Sequence, residues 1–215
     1  MLVKQRMSHP VITIHPETNM QDALELMRKE HIRRLPVVNR RGQLVGIVSE
    51  TDLLKASPSD ATSLSVWEVR ELLRKVKIEE IMTHEVVTVN HDTPLEEAAR
   101  MMADSKISGM PVLEDGKLVG LITETDLFKT FLEMFGARTA GVRLSVLVPK
   151  GPGQLAKLTK SIFDQGGDII AMVSFEGENS ETGTITFKVA GVERDALVAA
   201  ITPEVIKVVD VRSMS

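Results

Sequence analysis

A duplicated segment constrains the fold of this 215-residue chain more than any other feature of its sequence. The octet GIVSETDL at residues 46–53 recurs as GLITETDL at residues 120–127. The similarity extends over residues 7–56 and 82–130, with a one-residue deletion in the second copy before Gly116. Because self-similarity over a whole structural unit is the signature of a repeated fold, we expect two copies of one small unit.

Each copy carries the same order of secondary-structure signals. A β-branched segment, residues 11–14 or 86–89, precedes apolar residues at helical spacing. The motif Thr-x-x-Gln at Thr18 and the motif Thr-Pro-x-Glu at Thr93 predict capping boxes, the second with Pro94 at the first helical position. Two short strands around a polar turn follow, and the aspartate of the octet opens another helix. The predicted order in each copy is therefore βαββα.

The two copies are expected to form one module. A unit of this length buries too little apolar surface to be stable alone, so we expect the copies to pack on each other about a pseudo-twofold axis. The predicted division is repeat one at residues 1–56, a linker at 57–77 and repeat two at 78–135. The linker begins with a loop at residues 57–63 and continues as a helix, in which Trp67 is a predicted packing anchor; the alternative is that Trp67 contacts a partner.

These features make residues 1–135 resemble a tandem pair of CBS domains, also called a Bateman module. The resemblance rests on the pattern Gly-hydrophobic-hydrophobic-Ser/Thr-x-x-Asp, which begins at Gly46 and again at Gly120. In that family the aspartate accepts hydrogen bonds from ribose hydroxyls, and the hydroxyl residue stands at a helix N-terminus, which favours phosphate. The resemblance implies one adenine-nucleotide site in each repeat. The first comprises Pro10, Ile12, Arg33, Arg34, Ile47, Ser49 and Asp52, and the second Glu85, Val87, Ser108, Leu121, Thr123 and Asp126.

The two implied sites differ in charge. Arg33 and Arg34 stand in repeat one where repeat two has Ser108 and Gly109. Since guanidinium groups bind phosphate in a bidentate manner, we expect the first site to prefer the more highly phosphorylated of AMP, ADP and ATP. S-adenosylmethionine and NAD also carry adenosine and stay open as ligands. Two alternatives stay open too: the arginines are solvated surface charges, or Ser-x-x-Asp only caps a helix.

Residues 142–215 form a third predicted domain, after a boundary at residues 136–141. Its strand and helix patterns follow the order βαββαβ, the ferredoxin-like split arrangement. The Pro-Gly-x-Leu turn at residues 152–155 and the Gly-Asp-Ile step at residues 167–169 resemble an ACT domain, with aspartate in place of the usual asparagine. The resemblance implies a small-effector site at Gly151, Gly153 and Asp168. The alternative is a domain that only dimerises.

Apolar residues on both faces of the C-terminal strands predict an interface. Alternate residues of 142–148 and of 169–175 would lie on one face, the second set being Ile169, Ala171, Val173 and Phe175. Leu147, Ile170 and Met172 would then lie on the opposite face. Because two helices cover only one face of such a sheet, we expect a homodimer or a larger homo-oligomer.

Composition excludes several classes of function. The chain has no cysteine, which removes thiol catalysis, disulfides and cysteine-bound metals. Its histidines lack metal-ligand spacing on one element, so we expect no metal site; they are His9, His15, His31, His84 and His91. The net charge of −4 argues against nucleic-acid partners, and no apolar run is long enough for a membrane span or a signal peptide. We therefore expect a cytoplasmic protein.

Sensor-type modules account for the chain without a catalytic domain, so we expect a regulatory protein that requires no cofactor and is not an enzyme. A CBS pair followed by an ACT domain resembles the acetoin-utilisation accessory proteins. That resemblance implies a regulator of acetoin or acetyl-CoA metabolism that binds adenine nucleotide, a small metabolite and an unidentified protein partner. The alternatives are a structural adaptor that binds no ligand and a small nucleotide-hydrolysing enzyme.

Overall fold

A computed structural model of the chain describes residues 1–57 and 65–214. The chain divides into two compact units, Met1–Leu127 and Phe128–Ser215, and each is described by itself below. The loop predicted at residues 57–63 lies, apart from Ser57, outside the described residues.

The first repeat forms a two-stranded ribbon between two helices. Its elements are α1 (Met20–Lys29), β1 (Arg34–Val38), β2 (Leu44–Ser49) and α2 (Glu50–Ala56). β1 and β2 are antiparallel, with a register shift between Val37 and Val38. The strand predicted at residues 11–14 is reduced to a single parallel bridge between Ile14 and Val37. The prediction of a full first strand is therefore wrong in this repeat.

The second repeat follows a linking helix, α3 (Val66–Lys75). Its elements are β3 (Val89–Asn90), α4 (Leu95–Ser105), β4 (Gly109–Glu114), β5 (Lys117–Thr123) and α5 (Glu124–Met134). β3 pairs in parallel with β4, and β4 pairs antiparallel with β5. The register shift seen in repeat one recurs in β4, between Val112 and Leu113. The two repeats therefore share even the register shift in their strand pairing.

Trp67 does not anchor the linking helix. Its side chain is 75% exposed, and the guanidinium carbon of Arg70 lies 5.8 Å from the centroid of its ring. The predicted packing role is therefore wrong. Leu73, on another turn of α3, is the buried residue that packs into the core of repeat one.

The first helix of each repeat begins one residue later than a capping threonine would allow. Asn19 caps α1, and its side-chain oxygen accepts a hydrogen bond from the Asp22 amide at 2.9 Å. In repeat two, Pro94 precedes the helix as its N-cap residue. The predicted capping boxes at Thr18 and Thr93 are thus wrong, because asparagine is a strong N-cap in the first case and proline takes that position in the second.

Each repeat contributes a residue to the core of the other. Val3, in a short 3-10 helix (Val3–Gln5), is fully buried in the core of repeat two, and its amide donates to the Thr93 carbonyl at 3.0 Å. Ile78, the repeat equivalent of Val3, is fully buried in the core of repeat one, and its amide donates to the Thr18 carbonyl at 2.9 Å. Neither core is complete without the other repeat.

Two glycines of the octets permit a second pair of symmetric contacts. A Cβ atom on Gly46 would lie 2.4 Å from the sulfur of Met82, and one on Gly120 would lie 2.4 Å from the sulfur of Met7. Glycine at these positions therefore permits the close approach of the other repeat's methionine, which a larger residue would force to shift. These paired contacts confirm that the repeats pack about a pseudo-twofold axis.

The C-terminal unit has the predicted βαββαβ order. Its elements are β6 (Gly141–Pro149), α6 (Gln154–Asp164), β7 (Asp168–Glu176), β8 (Thr182–Ala190), α7 (Arg194–Ile201) and β9 (Lys207–Met214). The strands form one antiparallel sheet in the order β7-β8-β6-β9. Both helices cover one face, where Leu158 of α6 and Leu197 of α7 join Phe187 of β8 in a fully buried core.

A bulge in β7 reverses the faces expected for part of that strand. Ile169 pairs with Val189 and packs on the helix-covered core, as predicted. The register then shifts between Ile169 and Ala171, so that Ala171 pairs with Lys188. A slip of one residue sends each later side chain to the other face. Ala171, Val173 and Phe175 therefore lie on the open face, and Met172 on the helix-covered face, opposite to the prediction.

Candidate functional site

A cavity of about 310 Å³ lies between the two repeats. Three chain segments supply its lining: residues 8–12 and 31–34 of repeat one, and residues 121–126 of repeat two. The Ser8 amide donates to the Leu121 carbonyl at 2.9 Å, which holds the first segment against β5. The volume is at the lower end of the range for small-molecule sites.

The cavity combines residues that the sequence had assigned to separate sites. Residues from the predicted first site, namely Pro10, Ile12, Arg33 and Arg34, share it with Leu121, Thr123 and Asp126 from the predicted second site. The reason is the path of the chain, which leaves the core of repeat two at Val3 and enters that of repeat one at Ile14. The segment between them faces the octet of the other repeat. The grouping by repeat is therefore corrected.

The remaining predicted residues lie around the position that the pseudo-twofold axis relates to this cavity. An antiparallel bridge joins Ile47 to Thr83, so the octet of repeat one approaches the segment that carries Glu85 and Val87. Ser49 and Asp52 stand at the start of α2 there. Ser108 instead accepts a hydrogen bond from Arg34.

The serine or threonine of each octet is bonded to the octet's aspartate. Oδ2 of Asp126 accepts from the Thr123 amide at 2.9 Å and from the Thr123 hydroxyl at 2.7 Å. Asp52 makes the same two contacts with Ser49, at 2.8 and 2.6 Å. The capping interpretation is thus correct for both octets. It does not exclude ligand binding, because Asp126 also lines the cavity and a carboxylate offers about four acceptor positions.

Arg34 is not a solvated surface charge. Its side chain crosses to repeat two, where its Nη2 donates to the Ser108 hydroxyl. Burial lowers the pKa of Arg34, and the neighbouring Arg33 lowers it further, while Glu124 and Asp52 act in the opposite direction. An arginine stays protonated under such conditions, so the cavity wall keeps a cationic charge.

Arg33 adds a second guanidinium to the same wall. Its Nη2 lies 3.5 Å from the hydroxyl oxygen of Thr125, a contact that again joins the two repeats. Two adjacent guanidinium groups beside hydroxyl donors form an arrangement that suits the oxygens of a phosphate group.

Gly109 makes room for Arg34. It is the repeat equivalent of Arg34, and a Cβ atom there would lie 3.1 Å from Cδ and 3.3 Å from Nε of that arginine. The pair is therefore asymmetric, because a side chain at position 109 would crowd that of Arg34 and force it to shift by a few tenths of an ångström. The sequence analysis did not predict that Gly109 leaves space for Arg34, although the alignment of a glycine with an arginine could have indicated it. It also missed the lining residues Ser8, Val11, His31, Ile32 and Thr125.

The three predicted effector residues of the C-terminal unit do not meet in one chain. Gly151 lines an open pocket of about 530 Å³ near the start of α6, and Gly153 is the N-cap of that helix with a φ of 83°. Asp168 begins β7, beyond the far end of α6. A helix of 11 residues spans about 16 Å, so Asp168 cannot reach a ligand held at Gly151 of the same chain.

Metal-binding clusters and membrane-spanning helices were both open possibilities for residues 1–57 and 65–214. Over those ranges, no three or more histidine, aspartate or glutamate side chains are grouped so as to hold a metal ion. No helix within them combines the length and the apolar character that a membrane crossing needs.

Comparison with known proteins supplies a family. A family model described as the CBS domain matches residues 3–59 and 78–133. A CBS domain-containing protein of Dictyostelium discoideum is 36% identical over 134 residues, which cover 62% of this chain and 92% of that protein.

Two solved structures resemble the same part of the chain. The CBS domain pair of protein MJ0100, in complex with 5′-methylthioadenosine and S-adenosyl-L-methionine, is 34% identical with a TM-score of 0.52, and covers 65% of this chain and 98% of that one. A Vibrio cholerae protein proposed to act in acetoin utilisation is 29% identical with a TM-score of 0.53, and covers 64% of this chain and 95% of that one.

Proposed function

This chain belongs to the CBS-domain family, and we propose that it is a regulatory protein that binds adenine nucleotide in the cavity between its two repeats. The observation that carries the proposal is the meeting of Arg33 and Arg34 with the capping-box residues Thr123 and Asp126 in one cavity. The CBS pair of protein MJ0100 supports it, because both molecules in that complex contain adenosine.

Each part of the nucleotide has a chemically suitable partner in the lining. Asp126 accepts hydrogen bonds from the ribose hydroxyls, since a carboxylate matches two adjacent donors. Pro10, Ile12 and Leu121 supply apolar contacts to the adenine ring. Arg33 and Arg34 bind the phosphates, and the cavity therefore prefers ATP or ADP to AMP.

A second adenosine site follows from the pseudo-symmetry, at Ile47, Ser49, Asp52, Glu85, Val87 and Ser108. It has Glu85 where the first has Pro10, and serine and glycine where the first has its two arginines. The guanidinium of Arg34 reaches Ser108 of this second site, but Arg33 does not line it; with one guanidinium in place of two, the second site favours ligands that carry fewer phosphates, such as AMP, S-adenosylmethionine or NAD.

Regulation follows from the position of the cavity between the repeats. A ligand shifts a conformational equilibrium only by as much as its affinity differs between the two states. A nucleotide that contacts both repeats gains or loses contacts when the repeats move relative to each other. Its affinity therefore differs between the two arrangements, and its binding favours one of them. The protein then acts as a cytoplasmic sensor for a protein partner. The likeness to the Vibrio cholerae protein supports a partner in acetoin or acetyl-CoA metabolism.

The C-terminal unit serves in this proposal as an ACT-type module that pairs two copies of the chain. Support comes from its βαββαβ order and from exposed apolar residues on the edge strands, such as Phe175 of β7 and Val209 of β9. An effector that used both Gly151 and Asp168 would have to lie between two chains, because the two residues are separated within one. Light scattering of the purified chain tests the pairing, and a monomer at micromolar concentration would contradict it.

Calorimetric titration of nucleotide-free protein tests the main proposal. AMP, ADP, ATP and S-adenosylmethionine are each titrated into the wild type and into Asp126→Asn, with Asp52→Asn as the matched change in the other octet. Asparagine retains an acceptor oxygen for the cap but replaces the second oxygen with a donor. We expect Asp126→Asn to weaken ATP by about tenfold or more and Asp52→Asn to leave it nearly unchanged. No binding by any of the four ligands would favour the adaptor alternative, and ATP turnover would favour the enzyme.

A further inference from the structure

Three cationic side chains stand side by side across the C-terminal sheet. Arg143 of β6 pairs directly with Lys188 of β8 on one side and with Arg212 of β9 on the other. Directly paired residues in an antiparallel sheet lie on the same face, with Cβ atoms roughly 4.5–5.5 Å apart. Like charges in such positions destabilise a sheet. A row of three cations on one face therefore requires negative charge nearby.

One carboxylate meets part of this requirement. Asp210 accepts from Nη1 of Arg143 at 2.8 Å and from Nε of Arg212 at 2.9 Å. The side chain of Lys188 has no hydrogen-bond or ion-pair partner among residues 1–57 and 65–214. Asp168 begins the strand that carries Ala171 and pairs with Ala190, and its carboxylate makes no ion pair with this lysine. The row thus carries more positive charge than its own acid balances.

Lys188 is also buried. It is 5% exposed, and a Cβ atom on Gly136, in the segment after α5, would lie 3.8 Å from its Cδ. A lysine with so little exposed surface normally has its ammonium group paired with an acid. This lysine therefore has the character of a ligand-binding residue more than that of a surface charge.

A cavity of about 180 Å³ adjoins this lysine. Its polar lining consists of Arg143, Thr186 and Lys188, and its apolar lining includes Phe135, Ala137, Ala171, Val173 and Met214. In the described part of the chain, every side-chain nitrogen that is fully enclosed has a hydrogen-bond partner. Because the ammonium group of Lys188 has no partner, it is not fully enclosed and retains access to this cavity. The volume equals that of about six water molecules, which limits the occupant to a small molecule.

We propose that this cavity binds a short aliphatic carboxylate. Its carboxylate group pairs with the ammonium group of Lys188 and the guanidinium group of Arg143, and its hydrocarbon part contacts Phe135, Val173 and Met214. A bare inorganic anion would satisfy the charges but would leave the apolar lining exposed to water, so an amphipathic acid fits better. The site is separate from the nucleotide cavity and from the pocket at Gly151, and it holds whether or not those sites bind ligands.

Calorimetry on the full chain tests the proposal with isovalerate as the probe. Its neutral isostere isovaleramide and inorganic phosphate are the comparison ligands. We expect isovalerate to bind and both comparison ligands to bind at least about tenfold more weakly. Lys188→Met should weaken isovalerate by about tenfold or more, while Lys188→Arg should retain most of the affinity. The matched control Lys207→Met, at an exposed position of β9, should bind as the wild type does.

Thermal unfolding supplies a second readout that a purely structural lysine would not give. Without ligand, Lys188→Met should melt at a higher temperature than the wild type, because it removes the repulsion between the directly paired cations Lys188 and Arg143. With isovalerate, the wild type should gain thermal stability and Lys188→Met should not. Equal binding of isovalerate and isovaleramide, phosphate binding as tight as isovalerate binding, unchanged affinity in Lys188→Met, or no binding of isovalerate at all would each overturn the proposal.

Discussion

Replacing Arg34 with alanine gives the sharpest test of how the cavity between the repeats recognises its ligand. Arg34 reaches across the module to Ser108 and lines the same cavity as Asp126. The change removes one guanidinium from the wall and leaves the residues assigned to ribose and adenine in place. Its effect should therefore depend on how many phosphates the ligand carries.

The expected loss follows from the strength of charge-assisted hydrogen bonds. Such a bond contributes about 1.5–3 kcal/mol, which corresponds to roughly a 10- to 150-fold change in affinity. ATP should therefore bind Arg34→Ala at least about tenfold more weakly than the wild type, whereas adenosine should lose less than about twofold. The free energy of unfolding should fall by only about 1 kcal/mol, through the lost hydrogen bond to Ser108.

Calorimetric titration with ATP and adenosine measures both losses under one set of conditions. Arg40→Ala is the matched control, because the side chain of Arg40 is 89% exposed and lies outside the cavity lining. It should leave both affinities unchanged. If Arg34→Ala weakened adenosine as much as ATP, or if it left ATP binding intact, the assignment of this arginine to phosphate would be refuted.

Three predictions concern the fold. Gly46→Ala should lower the free energy of unfolding by about 1–3 kcal/mol in denaturant titration, because its Cβ would lie 2.4 Å from the sulfur of Met82. Adding Met82→Ala should recover part of that loss. The control Gly151→Ala should cost little, because no atom lies within 4 Å of its Cβ. Ile78→Ala should cost about 2–5 kcal/mol and lower the unfolding transitions of both repeats together, whereas separate transitions would contradict the shared cores. Phe187→Ala should cost about 3–5 kcal/mol in the C-terminal unit and leave ATP affinity unchanged, and loss of ATP binding would contradict the division into two units.

The sequence predicted the features that depend on local pattern. The duplicated octets were enough to place two β-strand-to-helix junctions, and the structure confirms them at Ser49 and Thr123. The βαββαβ order of the C-terminal unit was predictable for the same reason, because apolar periodicity within each segment reflects its own burial.

Features set by contacts between distant segments were not predictable from pattern. The segment after Val3 crosses from one repeat to the other, and this crossing decides that Pro10 meets Asp126 and not Asp52. The local sequence pattern of one segment does not show which repeat that segment will contact. The bulge after Ile169 is a further case, because a one-residue shift leaves the apolar pattern readable while reversing the faces.

The row formed by Arg143, Lys188 and Arg212 escaped sequence reasoning for a related cause. The three residues are far apart along the chain, and each resembles an ordinary cation on a strand edge. Only the pairing register of β8, β6 and β9 brings them into line. Charge that is well separated in sequence can therefore be concentrated by a sheet.

A crystal structure of the chain grown with ATP would test the central claim most directly. We predict one nucleotide between the repeats, with its ribose on Asp126, its phosphates on Arg33 and Arg34, and its adenine against Pro10 and Ile12. A nucleotide held entirely by residues of one repeat, with Asp126 and Arg34 both remote from it, would contradict the account.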